Sequence, residues 1–166
     1  MSYVESNLIP GEQVLYKTGL HWIVLVGPTV VAAFFLLIGL PLFIGSFWEK
    51  TGQGLQLGVT GFGMLAFAGL VVGLGYLARK ATEMAVTNKR IVIKTGLLSR
   101  RTFELLLSKV ESIGVEEGLM GRMLGYGSVV VRGTGGTPEP FKNVAHPLEF
   151  RRQVQQRVEE REQKSA

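Results

Sequence analysis

Three groups of residues in this chain have the types and spacing to do chemistry. Glu111, Glu116 and Glu117 offer closely spaced carboxylates for acid–base work. Gly133-Thr134-Gly135-Gly136 offers backbone N–H groups of the kind that cradle a phosphate, and Lys89, Arg90, Lys94, Arg100 and Arg101 offer clustered donors for an anion. The first two lack the surroundings their chemistry needs. Glutamates near a strand end are ordinarily solvated, and the glycine run leads into Thr137-Pro138 instead of the helix whose N-terminus completes a phosphate loop. Cysteine is absent, which excludes disulfides, thiolate zinc sites and cysteine nucleophiles. Aspartate is absent too, so Asp-based calcium loops and Ser-His-Asp triads cannot be built. No catalytic residue, metal ligand or cofactor is expected. The basic group stands as the candidate site for an anionic lipid or phosphate, against the plainer reading that these side chains face solvent or set membrane topology. Nucleic acid is not an expected partner, because the basic residues are interspersed with glutamates and lack interleaved aromatics.

The elements that must position these residues begin with two hydrophobic runs. Trp22 to Trp48 has no ionisable side chain at all, and in Leu55 to Ala78 the clearly polar side chains are Gln56, Thr60 and Tyr76. At about 1.5 Å per residue a helix of either length exceeds the ~30 Å hydrocarbon layer. Leu, Ile, Val and Phe make up most of the first run and close to half of the second. Their summed insertion energies are roughly −5 to −10 and −3 to −7 kcal/mol. The short connection Glu49 to Gly54 cannot hold a domain between two spans, so residues 22–80 read as a transmembrane hairpin. The segment ahead of it carries Glu5, Glu12 and Lys17 in place of a positive n-region, which marks a retained span and not a cleaved signal.

Arg79, Lys80, Lys89, Arg90, Lys94, Arg100 and Arg101 follow the second run, whereas the turn has Lys50 alone, so both termini are expected on the cytoplasmic side of a bacterial inner membrane. Trp22, Trp48, Arg79 and Lys80 are the expected interfacial anchors, with His21 beside Trp22 at headgroup level. Gly69 and Gly73 have the small-x-x-x-small spacing that lets helices approach closely; Ala32, Ala33 and Gly39 of the first run are the nearest partners, and a second copy or another membrane protein the alternative. Charge is uneven, −1 over residues 1–78 and +6 over residues 79–166. An anionic leaflet suits the basic half.

Residues 1–21 read either as an interfacial lead-in or as a strand or strap, Glu12 to Tyr16, lying on the C-terminal domain. That domain, residues 81–162, shows two-residue periodicity. Ile91 and Ile93, then Phe103, Leu105 and Leu107, then residues 110–116, then Val129 and Val131, then residues 140–144 read as strands. Lys94, Arg100 and Arg101 fall at one hairpin end. Leu119 to Leu124 reads as a helical turn or compact loop making apolar contacts. Pro147 opens a terminal helix whose stripe Phe150, Val154 and Val158 can cap a small β-barrel or paired sheets, and residues 163–166 are expected to fray.

This order of parts is similar to the bacterial pleckstrin-homology-like membrane proteins. The resemblance lies in Leu8-Ile9-Pro10-Gly11-Glu12 with His21-Trp22, in Thr87-Asn88-Lys89-Arg90 with Gly96, and in Leu119 through Gly127 followed by Phe141, Pro147 and Phe150. It implies an α+β membrane protein, a two-helix hairpin followed by a PH-like fold of two orthogonal sheets and a C-terminal helix. The strands legible in the sequence are about one fewer than that fold needs, a shortfall that points to the stretch around Lys109. The expected function is a non-enzymatic membrane-anchored adaptor or scaffold that binds another integral membrane protein or itself; the alternative is an anionic-lipid-binding module.

Overall fold

The computed structural model describes residues 3–96 and 101–165. The chain divides into two compact units. One joins Met1–His21 to Arg79–Ala166, and the other is Trp22–Ala78. The apolar unit is therefore an insertion within the sequence of the β-rich one.

In the β-rich unit a short helix, α1 (Tyr3–Ser6), leads into β1 (Val14–Gly19). This strand pairs antiparallel with the first strand after the insertion, from Val14 opposite Thr87 to Gly19 opposite Glu83. Residues 1–21 are thus not a separate lead-in. They supply the strand and strap of the alternative reading, and two strands join the five read from the sequence: this one, ahead of the hydrophobic runs, and Glu83–Thr87, directly after them. At Lys109 there is a 3-10 turn, Leu107–Lys109.

The apolar unit holds α2 (Val26–Gly45), preceded by a 3-10 turn over Trp22–Leu25, and α3, whose helix Gly54–Lys80 runs two residues past the unit. Both helices are long and apolar enough to cross a membrane. They turn large apolar side chains outward, with Leu37 76%, Leu55 83% and Phe62 62% exposed, the reverse of a soluble core helix. Where they meet, small residues recur every seventh position: Ala32 and Gly39 on α2 with Ser46 just past its end, and Gly54, Gly61, Ala68 and Gly75 on α3. That interval keeps one seam facing its partner along both helices. A Cβ on Gly61 would lie 2.5 Å from the Phe43 backbone nitrogen, and one on Gly39 would lie 2.8 Å from the Met64 Cβ. A Cβ on Gly69 or Gly73 meets nothing within 4 Å. The expected packing role of Gly69 and Gly73 against the first helix is therefore corrected. One helical residue turns the chain by about 100°, which carries Gly69 off the seam that holds Ala68.

After the insertion come β2 (Glu83–Thr87), β3 (Arg90–Thr95) and β4 (Arg101–Leu106), giving a four-stranded antiparallel sheet in the order β1-β2-β3-β4. The strands β5 (Val110–Glu116), β6 (Tyr126–Gly133) and β7 (Glu139–Ala145) form a second, three-stranded sheet. Between β5 and β6 lies α4 (Leu119–Leu124), and the chain closes with α5 (Pro147–Ser165). The sheets are not closed into a barrel. An isolated bridge between Leu20 and Val144 joins their edges.

The core between the sheets contains Met84, Val86, Ile91, Ile93, Val129, Val131 and Val144, sealed by Phe150 and Val154 of α5 with Val158 packed against them. The terminal stripe therefore caps the sandwich as its spacing predicts, and the helix continues through Ser165 where fraying was expected. A single apolar face was expected on β3, yet Val92 is buried as well. With Ala85 it lies beneath Val4, Leu8 and Val14, so the N-terminal segment covers the outer face of β2 and β3.

Candidate functional site

The strap from Ile9 to Gln13 is locked onto the turn between β2 and β3. Glu12, buried, accepts hydrogen bonds at Oε1 from Thr87 Oγ1 (2.8 Å) and Arg90 Nε (2.9 Å), and at Oε2 from the Ile9 N–H (2.8 Å) and Arg90 Nη2 (2.9 Å). The two Arg90 bonds form the parallel fork that guanidinium and carboxylate geometry favours. Arg90 also donates to the Asn7 carbonyl and pairs with Glu104. Asn88 ties the strap further, donating to the Gly11 carbonyl and accepting from the Gln13 N–H, while Lys89 Nζ donates to the Pro10 carbonyl. Burial works against the charged form of Glu12, but the bonds from Arg90, Ile9 and Thr87 outweigh it and hold the carboxyl below its ordinary range. The bond to Glu12 foremost holds Arg90 above its ordinary value. The sequence shows Glu12 in the Leu8 to Glu12 motif, at the start of the candidate strap and in the charged segment ahead of the first run. Its partner was not legible, because the whole hydrophobic insertion separates the two.

This clamp redistributes the five expected anion-binding residues. Lys89 and Arg90 sit at the start of β3, whereas Lys94 and Arg101 lie at its other end, where Thr95 pairs with Arg101. At about 3.3 Å per residue the two ends are roughly 13 Å apart, so they do not make one cluster. Arg90 is committed to the clamp, with a side chain only 12% exposed. Lys94 sits over the Tyr3 ring, 5.0 Å from its centroid, and Arg101 pairs with Glu139 at 2.9 Å. Arg100 lies outside the described residues.

At the other end of the domain the two chain crossings meet. The Arg79 Nε donates to the Leu20 carbonyl at 3.1 Å, and the His21 N–H donates to the Asn143 carbonyl at 2.8 Å. The His21 ring is buried, stacks on Tyr126 with centroids 5.2 Å apart, and is hydrogen-bonded to the Leu124 backbone. Burial pushes its pKa down, and the nearby His146 and Arg79 add to this. Among the expected anchors, Arg79 thus holds the junction, while Trp22 and Trp48 are 47% and 73% exposed. Lys80 is the last residue of α3.

Two cavities flank these features. One of about 310 Å³ opens among Leu20, Thr82, Thr95, Arg101, Glu139 and Lys142. Another, about 410 Å³, runs beside α4 past Glu116, Leu119, Met120, Tyr126 and Asn143. Among the described residues no group of three His or Glu is placed to hold a metal ion. Glu111 and Glu116 lie on β5, with Glu117 just beyond it, and Gly133 to Gly136 turns from β6 toward β7 without opening a helix. What the domain offers is a clamped scaffold with open surfaces.

The sequence matches the family model for the bacterial PH domain over residues 18–158. It matches no curated protein and no solved structure.

Proposed function

Because this chain belongs to the bacterial PH domain family, with the match covering both the hydrophobic insertion and most of the β-rich unit, we propose that it is a membrane-anchored, non-enzymatic adaptor. Its hairpin crosses the bacterial inner membrane twice, both termini are cytoplasmic, and the PH-like domain engages another integral membrane protein or a second copy of the chain. The observation that carries this reading is the insertion itself: β1 and β2 pair with each other, while every residue from Trp22 to Ala78 loops out between them. Leu20-His21 and Ala81-Thr82 make the connections between these strands and the helical segments at the insertion's ends. At no more than about 3.6 Å per residue such connections keep the domain at the surface from which the hairpin emerges. A module held there by two short connections suits presentation of a binding surface to neighbours in the same membrane.

The alternative, recognition of anionic lipid headgroups through Lys89, Arg90, Lys94, Arg100 and Arg101, has less support. Arg90 is consumed by Glu12 and Glu104, and Lys94 and Arg101 have partners of their own.

Crosslinking in native membranes from exposed positions of the domain tests the adaptor reading. Discrete adducts of reproducible mass are expected. An isolated monomer, both after crosslinking and in mild detergent, contradicts it.

A further inference from the structure

Among the described residues, the three most exposed large hydrophobic side chains of the β-rich unit all belong to the short helix α4. Leu119 is 86%, Met123 81% and Met120 62% exposed, and Leu124 adds a further apolar surface at 38%. Taken around the helix at about 100° per residue, these four occupy an arc of about 140°. The opposite side is occupied by Gly121, which is buried against the Tyr126 carbonyl. The sequence predicts apolar contacts for this stretch, and most of the surface of Leu119, Met120 and Met123 is left uncovered by the chain. A small soluble domain gains nothing from showing water such a face, and concentrated apolar surface of this kind marks a contact to be made.

The chain itself indicates what covers it. Gly125, in left-handed conformation at φ +76, ends α4, and the chain turns directly into Tyr126, on which His21 stacks. The next residue after His21 is Trp22, where the uncharged run begins. The second crossing leaves from the same place, since Arg79 bonds the Leu20 carbonyl. The apolar face of α4 is therefore mounted on the residues through which the domain joins its hydrophobic insertion.

We propose that α4 is an interfacial wedge. Leu119, Met120, Met123 and Leu124 enter the bilayer at the boundary between headgroups and acyl chains, beside the point where the hairpin emerges. The inference rests on reading the insertion as a membrane hairpin. Hydrophobic side chains on a short amphipathic element lie in that boundary layer with the polar side turned to water. Arg122 is on the polar side, where a cation suits the headgroups; Glu116 and Glu117, which precede the helix, stay outside it. The wedge is a third attachment point. It restrains rotation of the domain about its two connections and so fixes which face is shown to partners.

The cysteine-free chain allows a direct test in the full-length protein reconstituted in liposomes. Leu119→Cys, Met123→Cys, Leu36→Cys and Gln155→Cys are each labelled with an environment-sensitive fluorophore and titrated with lipids bearing a nitroxide on the acyl chain. Because Leu119 and Met123 are exposed, these substitutions leave the core intact. The expected result is short-wavelength emission and strong lipid quenching at positions 119, 123 and 36, several-fold above position 155. Water-like emission at 119 and 123 with lipid quenching at 36 overturns the wedge and leaves the hairpin standing. Short-wavelength emission at 119 and 123 without lipid quenching means that protein covers the face, which also overturns it. Water-like emission at 36 removes the hairpin and the wedge with it.

Discussion

Glu12 and Arg90 meet in a forked ion pair, Oε1 to Nε and Oε2 to Nη2 both at 2.9 Å, across a stretch of sequence that contains the whole hydrophobic insertion. The pair joins the strap ahead of the insertion to the strand after it. Pairing of β1 with β2 and burial of Val4 on Ala85 and Val92 reinforce the same junction. The domain cannot be complete until both sides of the insertion have been made.

Breaking that pair should be costly, because it strands a nearly buried guanidinium. Glu12→Gln is expected to lower the unfolding free energy by about 3 kcal/mol, whereas Glu104→Gln, at a carboxylate 40% exposed, should cost no more than about 1 kcal/mol. Chemical denaturation in mild detergent measures both. The pH dependence follows in sign: Glu12 is held below its ordinary value of 4.5, so its contribution is complete above that pH and is lost as the pH falls through the lower folded-state value. Glu12→Gln should remove that part of the acid limb. Equal stability of the two variants contradicts the clamp.

In the apolar unit, Gly61→Leu should disrupt the helix pair, since even a Cβ there meets the Phe43 backbone. A destabilisation on the order of 1–3 kcal/mol is expected for such overpacking. Gly69→Leu and Gly73→Leu open onto free space and should leave the pair intact. Thermal stability in detergent separates these outcomes, and a loss at Gly69 equal to that at Gly61 would contradict the seven-residue seam.

The cap over the sandwich rests on Phe150, fully buried and packed toward Tyr16 with ring centroids 6.5 Å apart. Phe150→Ala should cost about 3–5 kcal/mol. Leu148→Ala, at a half-exposed position on the same helix, should stay within about 0.5 kcal/mol. Denaturation midpoints for the two variants give the comparison.

Excising the hairpin should free a folded domain. Joining His21 to Arg79 through a short Gly-Ser loop keeps β1 beside β2, and the 3.1 Å contact between Leu20 and Arg79 shows that the ends are already close. A folded protein with dispersed amide resonances is expected. Residues 79–166 alone lose both the edge strand and the cover over Ala85 and Val92, and should aggregate or remain unfolded. A well-folded 79–166 fragment would show that β1 is dispensable.

Much of this organisation was legible in the sequence, for reasons that differ by element. The hydrophobic runs announce themselves because uncharged stretches as long as Trp22 to Trp48 and Leu55 to Ala78 leave few other readings. The Phe150, Val154 and Val158 stripe was equally plain, since the spacing names the face and the face needs one surface. β1 stayed ambiguous because its alternation is short and its partner lies beyond the insertion. The spacing of Gly69 and Gly73 does not mark the seam with α2: small residues are so frequent in α3 that a four-residue pair occurs by composition, and the seven-residue recurrence through Gly54, Gly61, Ala68 and Gly75 marks that seam. The basic residues looked like one cluster because sequence proximity does not show which end of a strand each occupies, or that a distant glutamate claims Arg90. Leu119 to Leu124 reads as a helical turn or compact loop, which it is, but composition alone cannot tell a side chain facing the core from one facing outward.

The central claim, that the insertion crosses a membrane twice and leaves the β-rich domain on the cytoplasmic side, is tested most directly by labelling Lys50→Cys and Arg132→Cys separately with a membrane-impermeant maleimide in native membranes. The claim predicts that Lys50→Cys reacts from the external face and Arg132→Cys only once the cytoplasmic face is opened. Reaction of both positions from the same face, or recovery of the protein in the supernatant after membranes are pelleted, would contradict it.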